Sequence, residues 1–219
     1  MREVLESVRT PLFRGLSIDD LMGMKDCLRF FQSSYKKGHV ILMESEHMHC
    51  VGIVLSGRVD MIKEDLWGGK TLLARMGKDE LFGESFACGS DTASAVTFLA
   101  SEDTNVLFLP FSKVMRTCSM ACEFHHRLVE NMVSIIADKN RTLMRKVEII
   151  SQRSLREKIL TYLSFQAQKS GSRYFTIDLD RSELAEYLCA DRSAVSRELS
   201  ALKQEGILDF EKNHFRILQ

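Results

Sequence analysis

Twenty-eight consecutive residues, "EFHHRLVENMVSIIADKNRTLMRKVEII" from Glu123 to Ile150, contain neither glycine nor proline. With nothing to break it, such a run predicts one long helix. Its apolar positions fall alternately three and four apart, at Val129, Val133, Ile136, Leu143, Val147 and Ile150, with one gap at Asn140. Read as heptads, Val133, Asn140 and Val147 take the first core position, and Val129, Ile136, Leu143 and Ile150 the fourth. β-Branched side chains with one asparagine at the first position favour a parallel two-stranded coiled coil, the asparagine setting its register. Val129, Val133, Ile136, Asn140, Leu143 and Val147 are therefore the expected contacts of a homodimer. The alternative is an amphipathic helix that packs only on its own sheet.

The chain changes character on either side of this run. Up to about Phe30, "SIDDLMGMKDCLRFF" has helical apolar spacing. From Tyr35 to about Phe111 come short strands punctuated by glycine: "HVILMES", "CVGIVLSGRVDMIKE", "TLLARMG" and "SAVTFLASEDTNVLFLP". Alternation, β-branched residues and turns such as "WGGK" predict antiparallel hairpins, and so many strands without intervening helices predict a sandwich or small barrel. The last third reads as a helix, "SQRSLREKILTYLSFQAQKSG", a strand, "YFTIDL", two short helices, and a final hairpin, "EGILDFEKNHFRIL".

The two short helices lie in "DRSELAEYLCADRSAVSREL", Asp180 to Leu199. Asp180 and Glu183 have the spacing of a capping box. Leu184 and Leu188 point inward, and small Ala185 admits a neighbouring helix. Cys189-Ala190-Asp191 is long enough only for a tight turn, with Asp191 placed to cap the next helix. In that helix Val195, Leu199 and Leu202 form the apolar stripe. Ser193, Arg197, Ser200 and Gln204 lie opposite, with Arg192 and Ser196 flanking them. A face of donors with no central carboxylate suits the DNA major groove, where arginine pairs with guanine O6 and N7.

Charge alone does not point to nucleic acid. The 219 residues carry 30 Lys/Arg and 30 Asp/Glu. From Glu148 onward eleven basic residues face eleven acidic ones. Such a domain must concentrate positive field locally to hold phosphates. No apolar run of about eighteen residues is present to span a membrane. The opening "MREVLESVRTPLF" is acidic without an apolar core, so no secretory signal is read there and a cytoplasmic location is expected. Cys27, Cys50, Cys88, Cys118, Cys122 and Cys189 are scattered and expected to be reduced. Cys118 and Cys122, at helical i,i+4 spacing, read as buried small hydrophobes before a metal or redox pair. No metal-site motif, phosphate loop or nucleophile–base–acid spacing is present, and an enzyme is not expected.

Taken end to end, the chain resembles the CRP/FNR family of bacterial transcription regulators. The residues that carry the resemblance are "LDRSELAEYLCADRSAVSRELSALKQEGIL", "GIVLSGRVDMI" and "LFGES". It implies an α+β fold: an N-terminal double-stranded β-helix (β-roll) of cyclic-nucleotide-binding type over 1–117, a dimerisation helix over 118–150, and a winged helix-turn-helix over 151–219. It implies a homodimer on a palindromic operator in double-stranded DNA, with RNA polymerase as a further partner and no membrane. Arg192, Ser193, Ser196 and Arg197 match the family's DNA-contacting positions. Ser193 replaces a frequent glutamate, which puts the usual half-site sequence in question. Cys189 replaces a frequent glycine and would strain the turn if its φ is positive.

The effector pocket is the less familiar part. Gly83 and Glu84 match the family's Gly-Glu pair, and Ser85 and Ser94 complete the candidate pocket. Ser94 stands where members that bind cyclic AMP carry an arginine on the cyclic phosphate, and no arginine occurs between Met76 and Met115. A phosphodiester would lose its bidentate charge-assisted contacts, so a signal other than a cyclic nucleotide is expected and the cofactor is left open. One cysteine, Cys27, before the β-roll does not supply the family's iron–sulfur set. A haem or redox sensor remains the alternative, with His47, His49, Cys50, His125 or His126 as axial ligands; Met61, Met76 and Met132 read as core. A metabolite in the β-roll and a ligand-binding module with protein partners are further alternatives.

Overall fold

A computed structural model describes residues 2–65, 67–89, 92–115 and 123–218. Cys118 and Cys122, with the expected start of the dimerisation helix, lie outside these residues. The chain divides into two compact units, Met1–Asp138 and Lys139–Gln219.

The first unit opens with helices α1 (Arg2–Ser7), α2 (Ile18–Gly23) and α3 (Lys25–Leu28). Ser17 starts α2 with a full capping box to Asp20. Strands β1 (Phe31–Tyr35), β2 (Val40–Leu42), β3 (Cys50–Ser56), β4 (Val59–Glu64), β5 (Lys70–Met76) and β6 (Leu81–Phe82) follow. After the one-turn helix α4 (Glu84–Ala87) come β7 (Thr97–Ala100), β8 (Thr104–Pro110) and α5 (Phe111–Met115). They form two antiparallel four-stranded sheets, ordered β1-β8-β3-β6 and β2-β7-β4-β5.

The non-consecutive orders reflect a chain that winds between the sheets, as a β-roll requires. Val51, Ile53, Val106, Leu107 and Leu109 are completely buried on one sheet, and Phe98 comes from the other. Phe82 and Phe98 meet with ring centroids 5.1 Å apart. The "WGGK" turn joins β4 to β5 as the sequence predicts; the Asp65 carboxylate accepts from the backbone N–H of Trp67 at 2.9 Å and of Gly69 at 2.8 Å.

Helix α6 (Glu123–Ile150) follows. Its inward face in the first unit is His125, Leu128, Met132 and Ile135, all buried. Asn131 donates to the carbonyls of Leu12 and Arg14 at 2.9 and 2.8 Å. The other side carries the heptad stripe. Val133, Leu143 and Val147 are 58%, 61% and 57% exposed. Ile136 and Asn140 are also exposed, while Val129 is only half-buried. Met144, which the heptad reading passes over, is exposed as well. The packing on its own domain therefore uses different residues from the stripe, which stays largely exposed.

The second unit contains the end of α6, then α7 (Leu155–Ser170), β9 (Tyr174–Thr176), α8 (Arg181–Tyr187), α9 (Arg192–Gln204), β10 (Leu208–Glu211) and β11 (His214–Ile217). Ser154 caps α7 with a box to Glu157, and Gly171 ends it at φ 64°. Ile149, Ile159, Leu163, Leu184, Leu188, Val195, Leu199, Leu202 and Phe215 make one buried cluster. Among the described residues no helix is long and apolar enough to cross a membrane.

One close approach in the β-roll is at Gly52, where an added Cβ would lie 2.3 Å from the Phe82 ring. Neither β3 backbone nor a buried aromatic can yield cheaply. Gly52→Ala is expected to cost about 1–3 kcal/mol, read as a lower urea midpoint of the first transition.

Candidate nucleic-acid interface and sensor pocket

The two-helix unit forms as its residues dictate. The Asp180 carboxylate accepts from the N–H groups of Ser182 and Glu183 at 2.7 and 2.9 Å, and Glu183 reaches back to the Asp180 N–H at 2.8 Å. Leu184, Ala185 and Leu188 are buried. Lys158 donates to the Leu188 carbonyl at 3.4 Å, near the C-terminal end of α8. Asp191 sits at the N-cap of α9 in extended conformation, but its side chain makes no capping hydrogen bond. That expectation is met in backbone and not in side chain.

Along α9, Val195, Leu199 and Leu202 are buried while Arg192, Ser193, Arg197, Ser200 and Gln204 are exposed. Ser196 is half-buried. Ser200 donates its hydroxyl to the Ser196 carbonyl at 2.9 Å, which leaves Ser193 as the freer hydroxyl. Among the described residues neither Arg192 nor Arg197 has an ion-pair partner. Asp191, next to Arg192, is exposed, but other acids on and near α9 are engaged. Arg156 of α7 grips Glu205 through both terminal nitrogens, one at 2.9 Å, and touches Glu198 at 3.5 Å. Its guanidinium holds the Glu205 carboxyl below the usual range. Lys203 pairs with Asp209 at 2.6 Å and lowers that carboxyl in the same way.

The final hairpin, β10 with β11, extends to β9 and forms the wing sheet. Arg181, at the start of α8, is its anchor. The guanidinium lies over the rings of Phe210 and Phe215, 5.0 and 5.2 Å from their centroids, and donates to the Lys212 carbonyl at 2.7 Å. Burial pushes its pKa down. A pocket of about 290 Å³ opens beside it, lined by Asp180, Arg181, Ser182, Arg192, Lys212 and Asn213. Sequence reasoning passed over Arg181 and Lys212, because only the folded wing brings residue 212 back to residue 181.

In the first unit, Gly83 at φ 78° starts α4. Met48 lies against it; a Cβ on Gly83 would be 2.1 Å from the Met48 methyl. Glu84 is 4% exposed, and the exposed Ser85 donates to it at 3.4 Å. Ser94 is 2% exposed, and its hydroxyl donates to the Val96 carbonyl at 2.6 Å. The backbone of Ser94 is bound on both sides to the segment that carries Met48, through Ser45 N–H at 2.7 Å and Glu46 carbonyl at 2.8 Å. That segment thus connects Ser94 with Gly83. A cation at this edge is Lys63, which pairs with Glu44 and donates to the Ala95 carbonyl at 2.9 Å. It lies thirty-one residues before Ser94, too far for a motif to reveal.

Of the possible axial ligands, His47 and His49 are exposed and stacked, with centroids 6.0 Å apart. His47 shares a hydrogen bond with Thr92 at 2.9 Å. Cys50 is half-buried and its thiol is raised by burial. Burial with Glu84 nearby pushes Cys88 up to about 11, so it stays a thiol at neutral pH. His126 pairs with Glu130, whereas His125 is buried with no hydrogen-bond partner for Nδ1. Met76 and Met132 are core and Met61 is half-buried. The described residues contain no cluster of three metal-ligating side chains.

Two family models match this chain: a cyclic nucleotide-binding domain over residues 32–120 and a Crp-like helix-turn-helix domain over residues 157–219. The cyclic AMP receptor protein of Thermus thermophilus is 28% identical over 91% of this chain and 88% of its own length. The transcriptional activator protein FnrA of Stutzerimonas stutzeri is 25% identical over 93% and 83%. Among solved structures, a CooA variant from Carboxydothermus hydrogenoformans superposes with a TM-score of 0.60 at 20% identity, over 90% of this chain and 86% of that one. Fold and matches together define a DNA-binding transcription regulator built from a sensor-type β-roll and a helix-turn-helix. The chain belongs to the CRP/FNR family.

One local strain is visible in the turn before α9. Cys189 is exposed and held at φ 52°, the left-handed region the sequence comparison flagged for this position. That conformation costs an L-residue about 1–2 kcal/mol, part of which glycine gives back through its more flexible unfolded chain. Cys189→Gly is therefore expected to stabilise the second unit by about 0.5–1 kcal/mol, read as a higher thermal midpoint.

Proposed function

We propose that this regulator acts as a homodimer in the cytoplasm, on palindromic DNA sites, in response to a signal other than a cyclic nucleotide. The observation that carries the reading is the exposed face of α9. Arg192 and Arg197 are exposed without ion-pair partners among the described residues, beside Ser193, in a stretch that from Glu148 onward has no net charge. Arg197 would pair with guanine in the major groove, Arg192 and Ser196 would flank it, and Ser193 would meet the opposite strand with a hydroxyl in place of a carboxylate. The pocket beside Arg181 and Lys212 suits a backbone phosphate, which positions the helix without reading sequence.

The stripe Val133, Ile136, Asn140, Leu143 and Val147 supports the dimer, since its exposed apolar side chains gain by covering one another. Two copies related by a two-fold would place two α9 helices on half-sites one turn of DNA apart. RNA polymerase is the protein partner this role implies.

Three observations support a signal unlike cyclic AMP. No arginine stands between Met76 and Met115 in the sequence, Ser94 spends its hydroxyl on Val96, and Met48 lies on Gly83 itself. A second reading, a haem-based sensor, draws on His125 alone: a buried imidazole nitrogen without a partner is a candidate axial ligand. A Soret band in the purified protein would favour it, and none after haem supplementation would remove it.

Arg197→Ala is expected to cost on the order of 1–3 kcal/mol on a selected operator and to relax preference at one base pair, measured by fluorescence anisotropy. Unchanged affinity and preference would reject the contact. Leu143→Asp is expected to convert the dimer to monomer in sedimentation velocity, because a carboxylate at a coiled-coil core position must be desolvated. Calorimetry with cyclic AMP is expected to show no binding, and saturable binding at Gly83 would overturn the reading of the pocket.

A further inference from the structure

We infer that Arg156 is a positioning residue of the DNA face, acting by locking the two carboxylates on the acidic flank of α9. This rests on the reading of α9 as the helix that enters the groove. At about 100° per residue, Glu198 and Glu205 share one flank of the helix, seven residues apart. Arg156 binds both from α7: its fork closes on Glu205 and one arm reaches Glu198. All three side chains remain partly exposed, at 35%, 27% and 47% for Arg156, Glu198 and Glu205.

Glu198 follows Arg197 directly, well inside the roughly 8 Å screening length of physiological salt. An uncompensated carboxylate there would offset much of the field that Arg197 presents to a phosphate. From Glu148 onward the chain carries eleven basic and eleven acidic residues, so that stretch has no positive surplus to replace it. Holding the acids in a pair is thus what lets a helix in a charge-balanced stretch attract a polyanion. The contribution to stability is small by comparison. Exposed ion pairs add little, and α7 and α9 already meet through buried Ile159, Leu163, Leu199 and Leu202. Nor is Arg156 placed to hold phosphate itself, since its fork is occupied by Glu205.

The test uses the full chain and a random-sequence duplex, with affinity measured by anisotropy across a salt series. Arg156→Gln is expected to weaken binding roughly fivefold or more at low salt, with the unfolding midpoint nearly unchanged and the same slope of log K against log salt. Adding Glu198→Gln and Glu205→Gln to that variant is expected to restore affinity to the parent level or above. Should Arg156→Gln fail to fold, Arg156→Lys takes its place, and a Lys variant that binds as the parent does supports the role. An equal loss with both glutamates neutralised, with the slope shallower by about one, would instead make Arg156 a phosphate contact and overturn the proposal. Parent-like binding by Arg156→Gln overturns it too. A parent that holds no duplex at low salt overturns the DNA reading itself, and this role with it.

Discussion

From Glu148 onward the chain carries no net charge, and such a stretch can hold a polyanion only if its charges are sorted in space. Acids are consumed where they do local work: Asp180, Glu183 and Glu157 in capping boxes, Asp209 on Lys203, Glu198 and Glu205 on Arg156. Apart from Asp191 at its start and the Gln204 amide near its end, the exposed face of α9 is cationic or hydroxylic. The wing follows the same logic. Arg181 is spent on two aromatic rings and a carbonyl, and that contact brings Lys212 to the pocket that Arg192 also lines.

Helix α6 solves a second problem, that of carrying two apolar faces at once. His125, Leu128, Met132 and Ile135 face the first unit's core, and Ile149 joins the core of the second. Val133, Leu143 and Val147 remain outside. A helix that binds its own domains through one stripe and leaves another bare is suited to meeting a second copy. Asn140 lies among those exposed positions.

In the β-roll the Gly-Glu pair sits in closely packed surroundings. Gly83 retains the left-handed turn and Glu84 is buried beneath it. Met48 and Ser94 then turn the surroundings into packed core and internal hydrogen bonds. Gly83 is thus packed against Met48 on one side, and the Ser94 hydroxyl is satisfied within the chain.

Much of this was legible before any coordinates, and the reason differs by element. The long helix showed itself through an unbroken run and a heptad pattern, both local properties. The recognition helix showed itself through caps, a three-residue turn and an amphipathic stripe, which span fewer than twenty-five residues. Even the strain at Cys189 followed from a turn that needs a positive φ. The missing arginine of the sensor was visible because an absence within one segment is also local. What sequence could not disclose was which of two faces of α6 each apolar residue occupies, and here Val129 proved half-buried. Nor could it show that Arg156 locks Glu198, that Arg181 anchors the wing, or that Met48 lies on Gly83. These contacts join residues twenty-nine or more positions apart. Backbone propensity and side-chain period act over a few turns of chain, so they determine elements; ion pairs and close packing act through space, so only the folded chain decides which charges are left free.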